Sequence, residues 1–115
     1  MEGSSALIVL DLSQLRNVTM NDEELMREVV NALVSDASQQ IENLRGAVGR
    51  SDAKECRRLA HALRGSCGNV GAVALAALSS TIEQQAVAGD LGACAASIEQ
   101  MTGEVERLRE QAGSI

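Results

Sequence analysis

Apolar residues recur along this chain every three or four positions, the spacing of one face of an α-helix. One series runs Met26, Val30, Leu33, Ala37, Ile41, Leu44 and Val48. A second holds Cys56, Leu59, Ala60, Leu63 and Cys67, and a third Val73, Ala77, Leu78 and Ile82. The last is the cleanest: Leu91, Cys94, Ile98, Met101, Val105, Leu108 and Ala112. Polar pairs at capping-box spacing precede two of these stripes, Asn21 with Glu24 and Asp52 with Glu55, and Asn69 is placed to cap the third. Gly46 and Gly49, the run Gly65–Gly68–Gly71, and Gly89–Asp90 mark the breaks. Upstream, Asp11 with Gln14 predicts a short helix to about Asn17, after an extended lead-in from Ala6 to Leu10. Met1 to Ser5 reads as a loose segment or a remnant outside the domain, and residues 6–115 as one domain. The expected fold is all-α: an antiparallel four-helix bundle with a short additional N-terminal helix.

Composition narrows the function. The 115 residues suit a single domain. They include 17 Ala and 13 Leu but no proline and no aromatic residue, which favours helix and excludes a β-sandwich. Without large anchors, the core must rest on many small contacts and on close helix approach through alanine. The aromatic platforms that stack single-stranded bases are missing, and a net charge of −6 opposes phosphate neutralisation, so nucleic acid is not an expected partner. The longest apolar run, Ala6 to Leu10, is too short for a membrane span or a signal peptide, and no direct membrane contact is expected. Cys56, Cys67 and Cys94 are odd in number and widely spaced, which suits small core residues in a cytoplasmic protein. With one histidine and scattered cysteines, no metal site is expected.

That histidine, His61, is the most informative residue. A lone histidine is ordinarily a surface residue or a hydrogen-bonded core residue. Its helix, however, turns Cys56, Leu59, Ala60, Leu63 and Cys67 to one side, and His61 lies roughly 150° away, toward solvent. Arg57 and Arg64 stand one turn before and after it, and Gly65 and Gly68 share its side. Residues 50–64 carry five of the ten basic groups against two acidic ones, a local charge of +3 in a chain whose remainder is −9. A solvated helix face explains the arginines. It does not explain two exposed glycines, each costing roughly 1 kcal/mol against alanine. Glycine there fits the close approach of another backbone or of a partner protein. A neutral imidazole so placed is suited to nucleophilic attack at a phosphorus or acyl centre, with arginines to stabilise phosphoryl oxygens.

The stretch from Ala60 to Ala72, AHALRGSCGNVGA, resembles the signature of the histidine-containing phosphotransfer (HPt) domain family. That pattern runs His-x-Leu-Lys-Gly-Ser, followed by a Gly-Ala pair near the start of the next helix. His61, Leu63, Gly65, Ser66, Gly71 and Ala72 match it, and Arg64 replaces the lysine. The resemblance implies a four-helix bundle that takes a phosphoryl group from one receiver-domain aspartate and passes it to another. His61 would be the phospho-acceptor through Nε2, Arg64 the basic group beside it, and Gly65 the opening for the receiver. Glu83 would support the other ring nitrogen. Such a domain has no ATP site or hydrolytic activity of its own and needs no cofactor, the magnesium being held by the receiver. It implies response-regulator receivers as partners, a monomer, and a place as the C-terminal module of a hybrid sensor kinase, whose membrane-bound parent leaves this end in the cytoplasm. Receiver contact is expected at Arg57, Arg58, Ala62, Arg64, Gly65, Gly68 and Asn69. Many members carry a phenylalanine on the second helix, where this chain has Leu33 or Val34.

Two other classes of function bear on the same residues. A non-catalytic helical adaptor that binds a signalling partner is the alternative, and the intact His61, Arg64 and Gly65 set argues against it. An enzyme in its own right fits poorly. The glycines from Gly65 to Gly71 match neither a P-loop nor a dinucleotide motif. Ser66, five residues from His61, lies on another helix face.

Overall fold

The structure, a computed structural model, describes residues 7–115. The expectation of a loose segment at Met1 to Ser5 lies outside them, as does Ala6. Five helices follow in order: α1 (Leu12–Val18), α2 (Glu23–Gly49), α3 (Ala53–Val70), α4 (Val73–Val87) and α5 (Leu91–Ala112). No strand occurs among the described residues. In the bundle α2 to α5, each helix packs on its neighbours in sequence and α5 closes the ring against α2, while α1 lies on α2 and α3. This is the expected all-α architecture.

Short polar side chains start the helices. Asp11 accepts from the Gln14 N–H, Asp52 from Glu55 and Asp90 from Ala93, each satisfying a donor the helix leaves unpaired. Two expected caps fall elsewhere. Asn21 does not cap α2. It takes φ +64° in the turn behind Met20, and Asp22, one residue on, accepts from the Leu25 N–H instead. Asparagine tolerates that left-handed conformation, so it becomes the turn residue and leaves the cap to aspartate.

Asn69 does not cap α4, because α3 runs through it to Val70. The helix stops at Gly71, at φ +92°, where the Ala72 N–H reaches the Cys67 carbonyl and the Gly71 N–H the Gly68 carbonyl. This is the left-handed C-terminal turn that glycine favours. A side chain on Gly71 would also meet the Asp11 carbonyl at 3.0 Å. Ala72 precedes α4 with no side-chain cap. The N-terminal arm serves instead: the Ile8 carbonyl accepts from the Ala74 N–H at 3.1 Å, and the Asp11 N–H donates to the Gly71 carbonyl at 2.8 Å. The lead-in is therefore a strap over the α3–α4 turn. At the far end of α2 the left-handed position is Ser51, two residues past Gly49. Gly89, as expected, supplies it after α4.

The core contains every predicted position of α3. In α2 the buried set gains Val34 and takes Ala47 in place of Val48, which is half-buried. In α5 Leu91 is half-buried and the rest of the stripe is buried. The third stripe differs from the expectation: α4 buries Ala74, Leu75, Ser79, Ile82 and Ala86, and of the four predicted positions only Ile82 is among them. Its six polar residues are bunched between positions 79 and 85 and its nine apolar ones lie on every side, so periodicity picks no face. Packing against α3 then sets the inner face, and Ala60 of α3 and Ala74 of α4 are both buried. Ser79 goes inside because its hydroxyl donates to the Leu75 carbonyl at 2.8 Å. The three cysteines are free and buried, as small core residues would be. Burial, followed by the charge of Asp36, pushes the Cys67 thiol up to about 12.

Candidate functional site

The inward stripe of α3 fixes what the helix shows to solvent. With Leu59, Ala60 and Leu63 buried, His61 points outward and its side chain is 60% exposed. Arg57, Arg58, Ala62, Arg64, Gly65, Gly68 and Asn69 are all exposed on the same helix. Gly65 and Gly68 border open space: a Cβ at either would meet nothing within 4 Å. Of the two readings the sequence left open, close approach of another backbone is therefore not what keeps either position glycine among the described residues. Near the end of α3, Gln14 of α1 donates to the Gly68 carbonyl at 2.5 Å.

One carboxylate organises the site. Glu83 comes from α4, its side chain 18% exposed, and Oε2 lies 2.8 Å from Nδ1 of His61. Its other oxygen, Oε1, lies 3.2 Å from Nε of Arg64. Arg64 Nη2 in turn lies 3.2 Å from Nδ1. Nδ1 has room for one partner in its ring plane, and a carboxylate at 2.8 Å claims the proton: Nδ1–H donates to Glu83 and the lone pair is left on Nε2. The Arg64 N–H then has no lone pair to meet on Nδ1. Its guanidinium is held by Glu83, and its nearness to the ring is electrostatic. No hydrogen-bond partner among the described residues reaches Nε2.

The other predicted contact residues are spread along α3. Arg58 is engaged by Glu55, with Nε and Nη2 on its two oxygens at 2.8 and 2.6 Å. Among the described residues Arg57 pairs with no carboxylate. The sequence reading did not anticipate a groove of about 330 Å3 beside the site, lined by Arg64, Ser80, Glu83, Gln84 and Val87. The last four share one stripe of α4, which could have been found by placing Glu83 first and reading one turn either way. A larger cavity of about 410 Å3, between α1, α2 and the end of α5, shares no residue with this site.

A bundle with one exposed, carboxylate-oriented histidine on an arginine-flanked helix defines a class of phosphoryl carriers, and the comparisons agree. The model of the Hpt domain matches residues 28–111, and the chain belongs to that family. It is a phosphorelay carrier of two-component signalling, in a family whose domains are phosphotransfer carriers and exchange phosphate with receiver domains. Among solved structures, the crystal structure of histidine-containing phosphotransfer protein B (HptB) from Pseudomonas aeruginosa PAO1 is similar. It has 29% sequence identity and a TM-score of 0.84, over 92% of this chain and 92% of that one. No curated protein matches this chain. No helix among the described residues is long and apolar enough to cross a membrane.

Proposed function

We propose that His61 carries the phosphoryl group on Nε2, taking it from the aspartyl phosphate of one receiver domain and giving it to the aspartate of another. The Nε2 lone pair attacks phosphorus, an N–P bond forms, and the acyl P–O bond breaks with its electrons leaving on the aspartate carboxylate. The Nδ1 proton stays on its bond to Glu83, whose charge offsets the positive charge the ring acquires. Passage to the second receiver reverses these steps. Glu83 is a positioning residue that sets the tautomer, and Arg64 is poised to exchange part of its contact with Glu83 for a phosphoryl oxygen. Arg57 supplies further positive charge, and Gly65 and Gly68 clear the approach, with Arg58, Ala62 and Asn69 at the edge of the contact. The domain works as a monomer in the cytoplasm, with no ATP site or cofactor of its own, and the receiver brings the magnesium.

The observation that carries this reading is the 2.8 Å contact of Glu83 with Nδ1 beneath an open Nε2. The test is incubation with receiver domains carrying labelled phosphate, comparing wild type with His61→Gln. Label is expected on the wild type and not on the variant, with helicity unchanged. Labelled His61→Gln protein would move the acceptor elsewhere.

A further inference from the structure

We infer that Gln14 of α1 is a positioning residue for phosphoryl transfer: it holds the glycine-rich end of α3 in helix, so that the surface beside His61 is formed before a receiver arrives. This rests on the proposal that His61 is the phospho-acceptor. The end of α3 is weak by itself. Residues 65–70 read Gly-Ser-Cys-Gly-Asn-Val, none of them a strong helix former, and no basic side chain stands in the last turn to meet its open carbonyls. Of these six only Cys67 is buried, with Val70 half-buried. A side chain at Gly65 or Gly68 would meet nothing within 4 Å, so both positions could hold a better helix former as far as packing is concerned. Glycine at each leaves the approach open and the helix loose.

What the helix end lacks comes from α1. Gln14 Nε2 donates to the Gly68 carbonyl at 2.5 Å and lies 3.5 Å from the Asn69 carbonyl. Two carbonyl oxygens face this amide, so it presents its NH2 group and not its oxygen. Among the described residues, no other helix has a last-turn carbonyl bonded by a side chain from another helix. The donor is itself well anchored. Gln14 is half-buried, its backbone N–H is bonded to Asp11, and the next residue, Leu15, is fully buried. A Cβ on Gly71, where α3 stops, would lie 3.4 Å from the Gln14 Cβ, so α1 sits directly against the helix end. Gln14 grips α3 from that end, and the open side over Gly65 and Gly68 stays clear.

Gln14→Ala, Gln14→Glu and Gln14→Lys test this role. All three keep the backbone N–H that Asp11 caps and introduce good helix formers, so α1 itself persists. In Gln14→Ala, amide exchange at residues 69–72 should quicken about fivefold while α2 and α5 amides stay unchanged. Glutamate sets a carboxylate against the same carbonyls and should quicken exchange further. Lysine, a donor favoured at a helix C-terminus, should return it to the wild-type rate. Transfer is read with two donors. A panel of receiver domains charged with labelled acetyl phosphate supplies one, the fastest being kept, and phosphoramidate supplies a second that needs no docking. At limiting receiver, Gln14→Ala should accept label about twofold and Gln14→Glu about tenfold more slowly, because only molecules with the helix end formed bind productively. Saturating receiver should restore both rates, Gln14→Lys should match wild type, and phosphoramidate should label all four proteins alike. Unchanged exchange in Gln14→Ala and Gln14→Glu would overturn the inference. Faster exchange with wild-type transfer at limiting receiver would make Gln14 structural only and overturn its positioning role, as would a loss shared with phosphoramidate. If neither donor labels the wild type, the carrier role of His61 fails, and the positioning role with it.

Discussion

Glu83 on α4 and His61 on α3 are joined at 2.8 Å, carboxylate oxygen to Nδ1, across the most extensive helix contact of the bundle. The bond links two levels of the molecule. The α3–α4 packing brings the carboxylate within reach, and the carboxylate holds the proton on Nδ1 and leaves the lone pair on Nε2. Removing it with Glu83→Ala should leave the fold intact and mix the two tautomers. A charged hydrogen bond contributes about 1.5–3 kcal/mol, and exposure of the histidine puts this one at the low end, so transfer should slow about tenfold. Ring 15N shifts read the tautomer directly. A pure Nδ1–H form in Glu83→Ala would show that another group sets it.

Gly65 of α3 and Gly71, which follows the end of that helix, should respond to alanine in opposite directions. Gly65 is helical and borders open space, so Gly65→Ala should raise stability, by up to about 1 kcal/mol. Gly71 has φ +92° and the Asp11 carbonyl 3.0 Å from its would-be Cβ, so Gly71→Ala should lower stability by more than about 1 kcal/mol. Urea unfolding measures both, and a stability loss in Gly65→Ala would mean that the residue is glycine for the fold.

Gly65→Glu extends the same argument to docking. A charged side chain on the open surface beside His61 should slow transfer from a receiver while leaving phosphoramidate labelling unaffected. Equal slowing with both donors would place the effect on the ring and not on the partner.

Arg64 makes a separable contribution. Arg64→Ala should weaken transfer without abolishing it, since Glu83 still holds Nδ1, and should not unfold an exposed position. Arg64→Lys keeps the charge but not the fork that reaches both Glu83 and the ring, so it should recover part of the loss. Complete loss of labelling in Arg64→Ala would make the guanidinium indispensable to the chemistry.

The cysteines predict a pH dependence of stability. Burial raises all three thiols, Cys67 to about 12. Below the unfolded thiol value of about 8.5 both states are neutral and the contribution is complete. As pH rises from there to about 12 the unfolded chain loses protons that native Cys67 keeps, and stability falls. The urea midpoint should therefore drop between pH 8 and pH 10.5, with native thiols slow to alkylate at pH 8. A flat midpoint would contradict this.

Much of this was legible in the sequence, for identifiable reasons. The α3 stripe is unambiguous because arginines and His61 interrupt it, so its inward face and the outward histidine followed from angles alone. Asp11 and Asp52 announced helix starts because their side chains act locally, whereas Asp90, read only as part of a break, turned out to cap α5. Asn21 and Asn69 misled because asparagine serves turns and helix interiors as well as caps, and the competitor was next door (Asp22) or far away in sequence (the Ile8 carbonyl). The inward face of α4 was illegible because its apolar residues lie on every side and its polar ones are bunched between positions 79 and 85, which leaves no periodic face to read. The role expected of Glu83 came from the family resemblance. Its distance from Nδ1, and the turn of Arg64 onto the same carboxylate, depend on two helices meeting and are invisible in either one.

The central claim is that Nε2 of His61 carries the phosphoryl group. The most direct test is NMR of 15N-histidine-labelled protein after phosphorylation by a receiver domain, reading phosphorus–nitrogen coupling at the single histidine. Coupling at Nε2, with Nδ1 still protonated and the linkage labile in acid but stable in base, is the predicted result. Coupling at Nδ1, or phosphate held on any other residue, would contradict it.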